Sequence, residues 1–98
     1  QLYHDCSDSY IRDSGTGVLA ILSDETRIQN AAGNENCAKF TENGSVTLYY
    51  DNTQKFETTS TGVKITGVSE YADNAAAIAA GLTTGDVYRT GDLLKIVH

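Results

Sequence analysis

The run LYYDNTQKFETTSTGVKITG, residues 48–67, alternates apolar and polar side chains, breaks at turn-forming residues, then alternates again. A period of two residues belongs to a strand with one wet and one dry face, so this stretch commits the chain to β-structure. An earlier stretch, LYHDCSDSYIRDSGTGVLAI, opens in the same way. Leu2, Tyr3 and Asp5 match Leu48, Tyr49 and Asp51 at an offset of 46, and Tyr10 matches Phe56. After one deleted residue, Thr16-Gly17-Val18 matches Thr61-Gly62-Val63. The repeats cover about residues 2–21 and 48–67. Two copies cannot close a propeller, whereas units stacked along an axis need touch only their neighbours.

Residues 45–50 place Val46, Leu48 and Tyr50 on one face, residues 54–59 carry Phe56 between polar neighbours, and residues 63–66 alternate again. Residues 18–22 and 26–29 read as two further short strands, broken at Ser23-Asp24. Glu42-Asn43-Gly44-Ser45 tests the register. An Asn-Gly two-residue loop would set Lys39 against Leu48, mixing polar and apolar residues on one face. A three-residue loop over Glu42, Asn43 and Gly44 pairs Phe40 with Val46 and Ala38 with Leu48, with Gly44 expected at positive φ.

The last thirty residues change character. Asp73 is placed to cap a helix over residues 74–80, with Gly81 ending it. Ala75, Ile78, Ala79 and Leu82 follow helical spacing as its apolar face. Val87-Tyr88-Arg89, the turn Thr90-Gly91-Asp92 and residues 94–97 read as a terminal hairpin. The expected organisation is a β-repeat shaft segment over residues 1–68 and a helix-plus-hairpin cap over 69–98 that ends the stack.

Of the 98 residues 40% are hydrophobic, with no Trp, no Pro and six Tyr among the aromatics. Ordering costs about 1.5 kcal/mol per residue, and burial returns about 25 cal/mol per Å² of apolar surface. With so few large apolar side chains, the chain is poorly placed to balance that alone, and disulfides, a metal or association with other chains would help. Cys6 and Cys37 allow one bridge, but their settings favour two independent thiols. Seven Lys plus Arg against thirteen Asp plus Glu leave a net charge of −6, scattered singly, with no basic cluster for a nucleic-acid backbone. No apolar segment approaches the ~20 residues of a membrane span, and no signal-peptide pattern is present. The chain begins with Gln1 and lacks methionine, which is expected of part of a longer polypeptide.

Four stretches, LYHDCSDSYIRDSGTG, RIQNAAGNEN, LYYDNTQKFETTSTGVKITG and YADNAAAIAAGLTTGDVYRTGDLLKIVH, resemble the C-terminal parts of tail-fibre and related virion structural proteins of marine tailed phages, cyanophage-like ones above all. One departure is Cys6, where the family pattern has glycine. The resemblance implies a mainly β homotrimeric fibre, its short strands intertwined or stacked about a threefold axis, with a short helix and hairpin at the C-terminus. It further implies a non-enzymatic virion component, extracellular, with its C-terminal end distal and contributing trimerisation and host attachment. Host-surface glycans or proteins would be its partners; no cofactor is implied.

Catalytic constellations are hard to find. His4 and His98 lie near opposite ends, and no nucleophile elbow, zinc-type cysteine pair or phosphate loop occurs. Asp5, Asp8, Asp13 and Asp51 sit in turn-like settings, where aspartate bonds its own backbone more often than it cleaves sugar. Asn43-Gly44-Ser45 matches a glycosylation acceptor, but turn chemistry explains it. Receptor contact is better served by tyrosine faces beside hydrogen-bonding groups. The candidates are Tyr49, opposite the apolar face of its strand, and Tyr88, Arg89 and Asp92 in the terminal hairpin. The alternatives to a shaft and distal segment are a glycan-binding or glycan-cleaving tail-spike tip and a bacterial surface adhesin fragment.

Overall fold

The computed structural model describes residues 2–98. The first strands, β1 (Leu2–His4) and β2 (Ser9–Ile11), pair antiparallel with Tyr3 opposite Tyr10. Their turn is held by Asp5, whose N–H donates to Asp8 O at 2.9 Å while its carboxylate accepts the N–H groups of Ser7 and Asp8. Cys6 within that turn takes φ 80, a left-handed conformation that costs a side-chain-bearing residue energy and glycine almost none.

A five-stranded antiparallel meander follows: β3 (Glu25–Gln29), β4 (Asn36–Thr41), β5 (Val46–Tyr50), β6 (Thr53–Thr59) and β7 (Gly62–Ile65). The β4–β5 hairpin has the register that keeps one face apolar, with Phe40 opposite Val46 and Ala38 opposite Leu48. Positive φ falls on Asn43 (54°) rather than on Gly44. The Gly44 N–H closes on Thr41 O, which puts Asn43 where a type II turn needs the left-handed residue. Gly44 instead sits in a tight place: a Cβ there would lie 3.0 Å from Thr41 Cγ2 and 3.2 Å from Thr41 Cβ. Between β5 and β6, Asp51 and Asn52 both take positive φ, the pattern of a type I′ turn.

Cross-strand pairing assembles the apolar residues into rows. Ile28, Ala38, Leu48, Phe56 and Ile65 line up across all five strands, with Thr26, Phe40 and Val46 in the row beside them. No second layer covers them: Ile28, Phe40, Leu48, Val63 and Ile65 are all exposed. The most deeply buried side chain of the sheet lies on the opposite, polar face. It is Thr47, 2% exposed, flanked in register by Lys39 and Glu57, with its hydroxyl 3.2 Å from that of Ser45.

Residues 18–22, expected as a strand, are not one: they pair with no strand among the described residues, and Val18, Leu19, Ile21 and Leu22 are exposed. The sequence echo therefore becomes two unequal structures. The second copy makes β5, β6 and β7, and the first makes only the β1–β2 hairpin. The first copy's longer turn also shifts its pairing, so Tyr3 meets Tyr10 whereas Tyr49 meets Gln54.

The C-terminal residues gather a core of their own. Helix α1 (Asn74–Ala79) starts at Asp73, whose carboxylate accepts the Ala76 N–H at 2.8 Å. It ends with Gly81 at φ 106, the Gly81 N–H on Ile78 O and the Leu82 N–H on Ala77 O, a Schellman closure. Ala77 is the helix residue buried, while Ala75, Ile78 and Ala79 are exposed, so the expected face is corrected by one position. The closure explains the shift, because it folds Leu82 back over Ala77. Asn74 adds a second anchor: its amide donates to His98 O at 2.9 Å and accepts the His98 N–H at 3.0 Å. Strands β8 (Val87–Thr90) and β9 (Leu93–Ile96) form the terminal hairpin, with Gly91 at φ 60 in the turn. Ala77, Tyr88 and Val97 are its buried residues, with Tyr71 and Leu82 packed against them.

Two substitutions of opposite sign check these local accounts in urea or thermal melts. Asp73→Ala is expected to cost about 1 kcal/mol through loss of the cap. Cys6→Gly is expected to stabilise by up to about 1 kcal/mol, because it relieves a left-handed side-chain conformation.

Candidate functional site

An open groove of about 670 Å³ separates the β7 edge of the sheet from the terminal hairpin, and its walls include Val63, Ile65, Arg89, Asp92, Leu93 and Leu94. Strand β8 is positioned beside it by residues 69–71: the Arg89 N–H donates to Ser69 O at 2.9 Å and the Tyr71 N–H to Arg89 O at 3.0 Å. The Arg89 guanidinium lies 3.3 Å from the Glu70 carboxylate and donates to Gly91 O at 3.2 Å. Glu70 also accepts the Gly91 N–H at 2.8 Å, so one carboxylate ties the hairpin turn to the preceding chain. Both partners of the ion pair are about half exposed, so the pair itself contributes on the order of 1 kcal/mol or less.

Of the four expected receptor contacts, the fold brings Arg89 and Asp92 together on this groove. Tyr49 is half-buried on the polar face of β5 and does not line it. Tyr88 is 2% exposed and belongs to the core beside Ala77 and Val97, its ring 6.3 Å from that of Tyr71. That contradicts a surface role for its ring. Strand alternation sends Tyr88 inward and Arg89 outward, and residues 69–71 pairing on β8 make the hairpin half of a small core. Sequence reasoning missed Leu93, Leu94, Val63 and Ile65 as groove residues. Their apolar character was visible, but the neighbourhood of β7 and β9 is a tertiary fact.

The aspartates singled out in the sequence behave largely as turn residues. Asp13 accepts the Gly15 N–H at 3.2 Å, and Asp51 is a turn residue with φ 48. The Asp8 carboxylate accepts the Tyr10 hydroxyl at 3.4 Å. His4 Nδ1 lies 2.9 Å from the Ser9 hydroxyl, across its own hairpin. Among the described residues, no three His, Cys, Asp or Glu side chains gather as a metal site would require. Cys6 and Cys37 are unbridged and exposed. No helix among the described residues is long and apolar enough to cross a membrane. Comparison with family models, curated proteins and solved structures gives no match.

The first turn has a pH signature. The Asp8 N–H, helped by the Tyr10 hydroxyl and the Ser7 N–H, holds the Asp5 carboxyl below its ordinary 3.8. The same carboxylate, with burial and Asp8 adding to it, holds the Tyr10 hydroxyl above its ordinary 10.0. Asp5 therefore stabilises the hairpin fully above pH 3.8, and that contribution disappears as pH falls through the lower folded value. The Tyr10 contribution is complete below pH 10.0 and is lost as pH rises through its higher folded value. Carboxyl-detected NMR should place the Asp5 midpoint below 3.8 in the folded chain and return it to the ordinary value in the chain unfolded by urea. A midpoint at or above 3.8 in the folded chain would contradict the turn account.

Proposed function

We propose that the chain is a structural component of a phage tail fibre, a C-terminal segment that trimerises with copies of itself and stands near the host-contacting end. The observation that supports the self-association is the uncovered apolar face of the five-stranded sheet; the fibre itself is what the sequence resemblance implies. A face of aligned Ile, Ala, Leu and Phe is what a strand pattern specifies for burial, and this chain has no second layer to bury it.

Two magnitudes support the same conclusion. A compact monomer of 10.5 kDa would expose about 5,400 Å², whereas this chain exposes 7562 Å². Its radius of gyration is 18.5 Å, against about 13 Å for a compact chain of this length. The excess surface, about 2,100 Å², lies in the range that obligate subunit interfaces bury. Self-association of three copies would place the sheet faces inward and leave the acidic polar faces in water. The apolar face runs through the groove onto Leu93 and Leu94, so the cap would share the same interface.

A second reading keeps the groove open to a host glycan. Arg89 and Asp92 supply hydrogen-bonding groups there, beside apolar walls against which a sugar ring could pack. Glycan-array binding that is lost in Arg89→Ala would favour it, and release of reducing sugar would turn the binder into an enzyme.

Light scattering on the purified chain at micromolar concentration is expected to give three times 10.5 kDa. Leu48→Lys, which puts a charge in the middle of the longest apolar row, should dissociate the assembly at least a hundredfold more readily, about 2.7 kcal/mol or more. A stable monomer of the unsubstituted chain would end the trimer reading.

A further inference from the structure

Residues 18–22, Val-Leu-Ala-Ile-Leu, are five apolar residues in succession without a strand partner. Val18 is 84% and Leu22 89% exposed, and Leu19 and Ile21, on the other side of the alternation, are exposed too. A strand with one wet face alternates, as Val63-Lys64-Ile65 does. A strand apolar on both sides belongs where both are covered.

The internal repeat identifies what the segment corresponds to. Val18 aligns with Val63, so residues 18–20 stand where β7 stands in the second copy. There, β7 closes the edge of β6, with Phe56 opposite Ile65 and Thr58 opposite Val63. Tyr10 aligns with Phe56, so the first copy's equivalent of β6 is β2, and β2 pairs with β1 alone. The chain thus holds an acceptor edge lacking a strand and a strand lacking an edge.

Resting on the self-association proposed above, we infer that residues 18–22 form a donated strand, pairing antiparallel with β2 of a neighbouring copy of this chain. Carrying over the β6–β7 register sets Ala20 opposite Tyr10 and Leu19 opposite Ile11. Both placements extend rows already begun in the hairpin. Leu2 and Ile11, paired and exposed, continue into Leu19. The stacked rings of Tyr3 and Tyr10, 4.9 Å apart, continue into Ala20. Two features point to a neighbour rather than to the same chain. The connection from β2 is longer than the tight turn joining β6 to β7, and it is turned on itself by the Asp13–Gly15 bond and by Gly17 at φ 103. The second apolar side of the segment also needs a cover that none of the three sheets provides, since Leu19 and Ile21 are exposed.

Cross-linking between separately produced chains tests the pairing. In a Cys6→Gly, Cys37→Ser background, Ile11→Cys and Leu19→Cys chains are refolded together and oxidised. Tyr10→Cys and Ala20→Cys form a second set, because adjacent antiparallel pairs alternate between close and wide side-chain spacing. The expected result is a disulfide-linked product of twice the chain mass from at least one mixture, and none from any chain alone. If both cysteines on one polypeptide bridge internally and mixed chains do not, donation between copies is overturned. Hydrogen exchange on the unsubstituted chain gives a readout independent of variant folding. Amides 19–22 are expected to exchange on the order of a hundredfold more slowly in the assembly than in a free peptide. Unprotected exchange in a sample with oligomer mass overturns the donated strand and leaves self-association standing. A sample that is monomeric by mass overturns both.

Discussion

Everything in this structure turns on a face that has no cover. Five antiparallel strands align Ile28, Ala38, Leu48, Phe56 and Ile65 into one row, and no second layer among the described residues lies over them. A single sheet layer cannot remove its apolar side from water, so its hydrophobic free energy is unrealised until another surface meets it. The polar side holds the sheet's buried residue, Thr47, between its register partners Lys39 and Glu57. The sheet is therefore specified by its turns and register, and on the proposed self-association its apolar face would add stability only when copies meet.

The C-terminal residues solve the same problem differently. Their core is small, three buried residues with Tyr71 and Leu82 against them, so each end is closed by directed bonds. Asp73 satisfies the start of α1, Gly81 and Leu82 satisfy its end, and Asn74 holds the backbone of His98 from both sides. Glu70 then fixes the hairpin turn through Gly91 and Arg89. Such a unit holds its shape with little burial. Its remaining apolar residues, Leu93, Leu94 and Ile96, face outward beside the sheet edge.

Local pattern carried much of this. The choice between two loops at residues 42–44 could be made because only one kept apolar residues opposite each other, and the register of β4 and β5 follows that choice. The role within the loop was misassigned, since Asn43 also tolerates the left-handed region and Gly44 answers a contact with Thr41 invisible in one dimension. Asp73 and Gly81 marked the helix ends, but a six-residue helix has too few apolar positions to declare its buried face. The same limit hid Tyr88, whose burial depends on residues 69–71 pairing across from β8. The Arg89 and Asp92 pairing on one groove was legible as adjacency in a hairpin, whereas the opposite wall at Val63 and Ile65 was not.

Residues 18–22 show where strand pattern and single-chain structure part company. Their composition suits burial on two faces, which the single chain does not give them, and no rule requires a strand partner to lie in the same molecule. The second repeat meets the demand locally because the Ser60-Thr61 turn is tight and Lys64 leaves one face in water. The first repeat inserts one more residue and replaces that lysine with Leu19, two changes that lengthen the connection and remove the wet face. Both changes act in one direction, away from closure within the chain, and the proposed donation would leave the segment to a neighbouring copy. On that proposal the divergence between the copies is a division of labour: one repeat completes a sheet, and the other would leave an edge and a segment with which copies join.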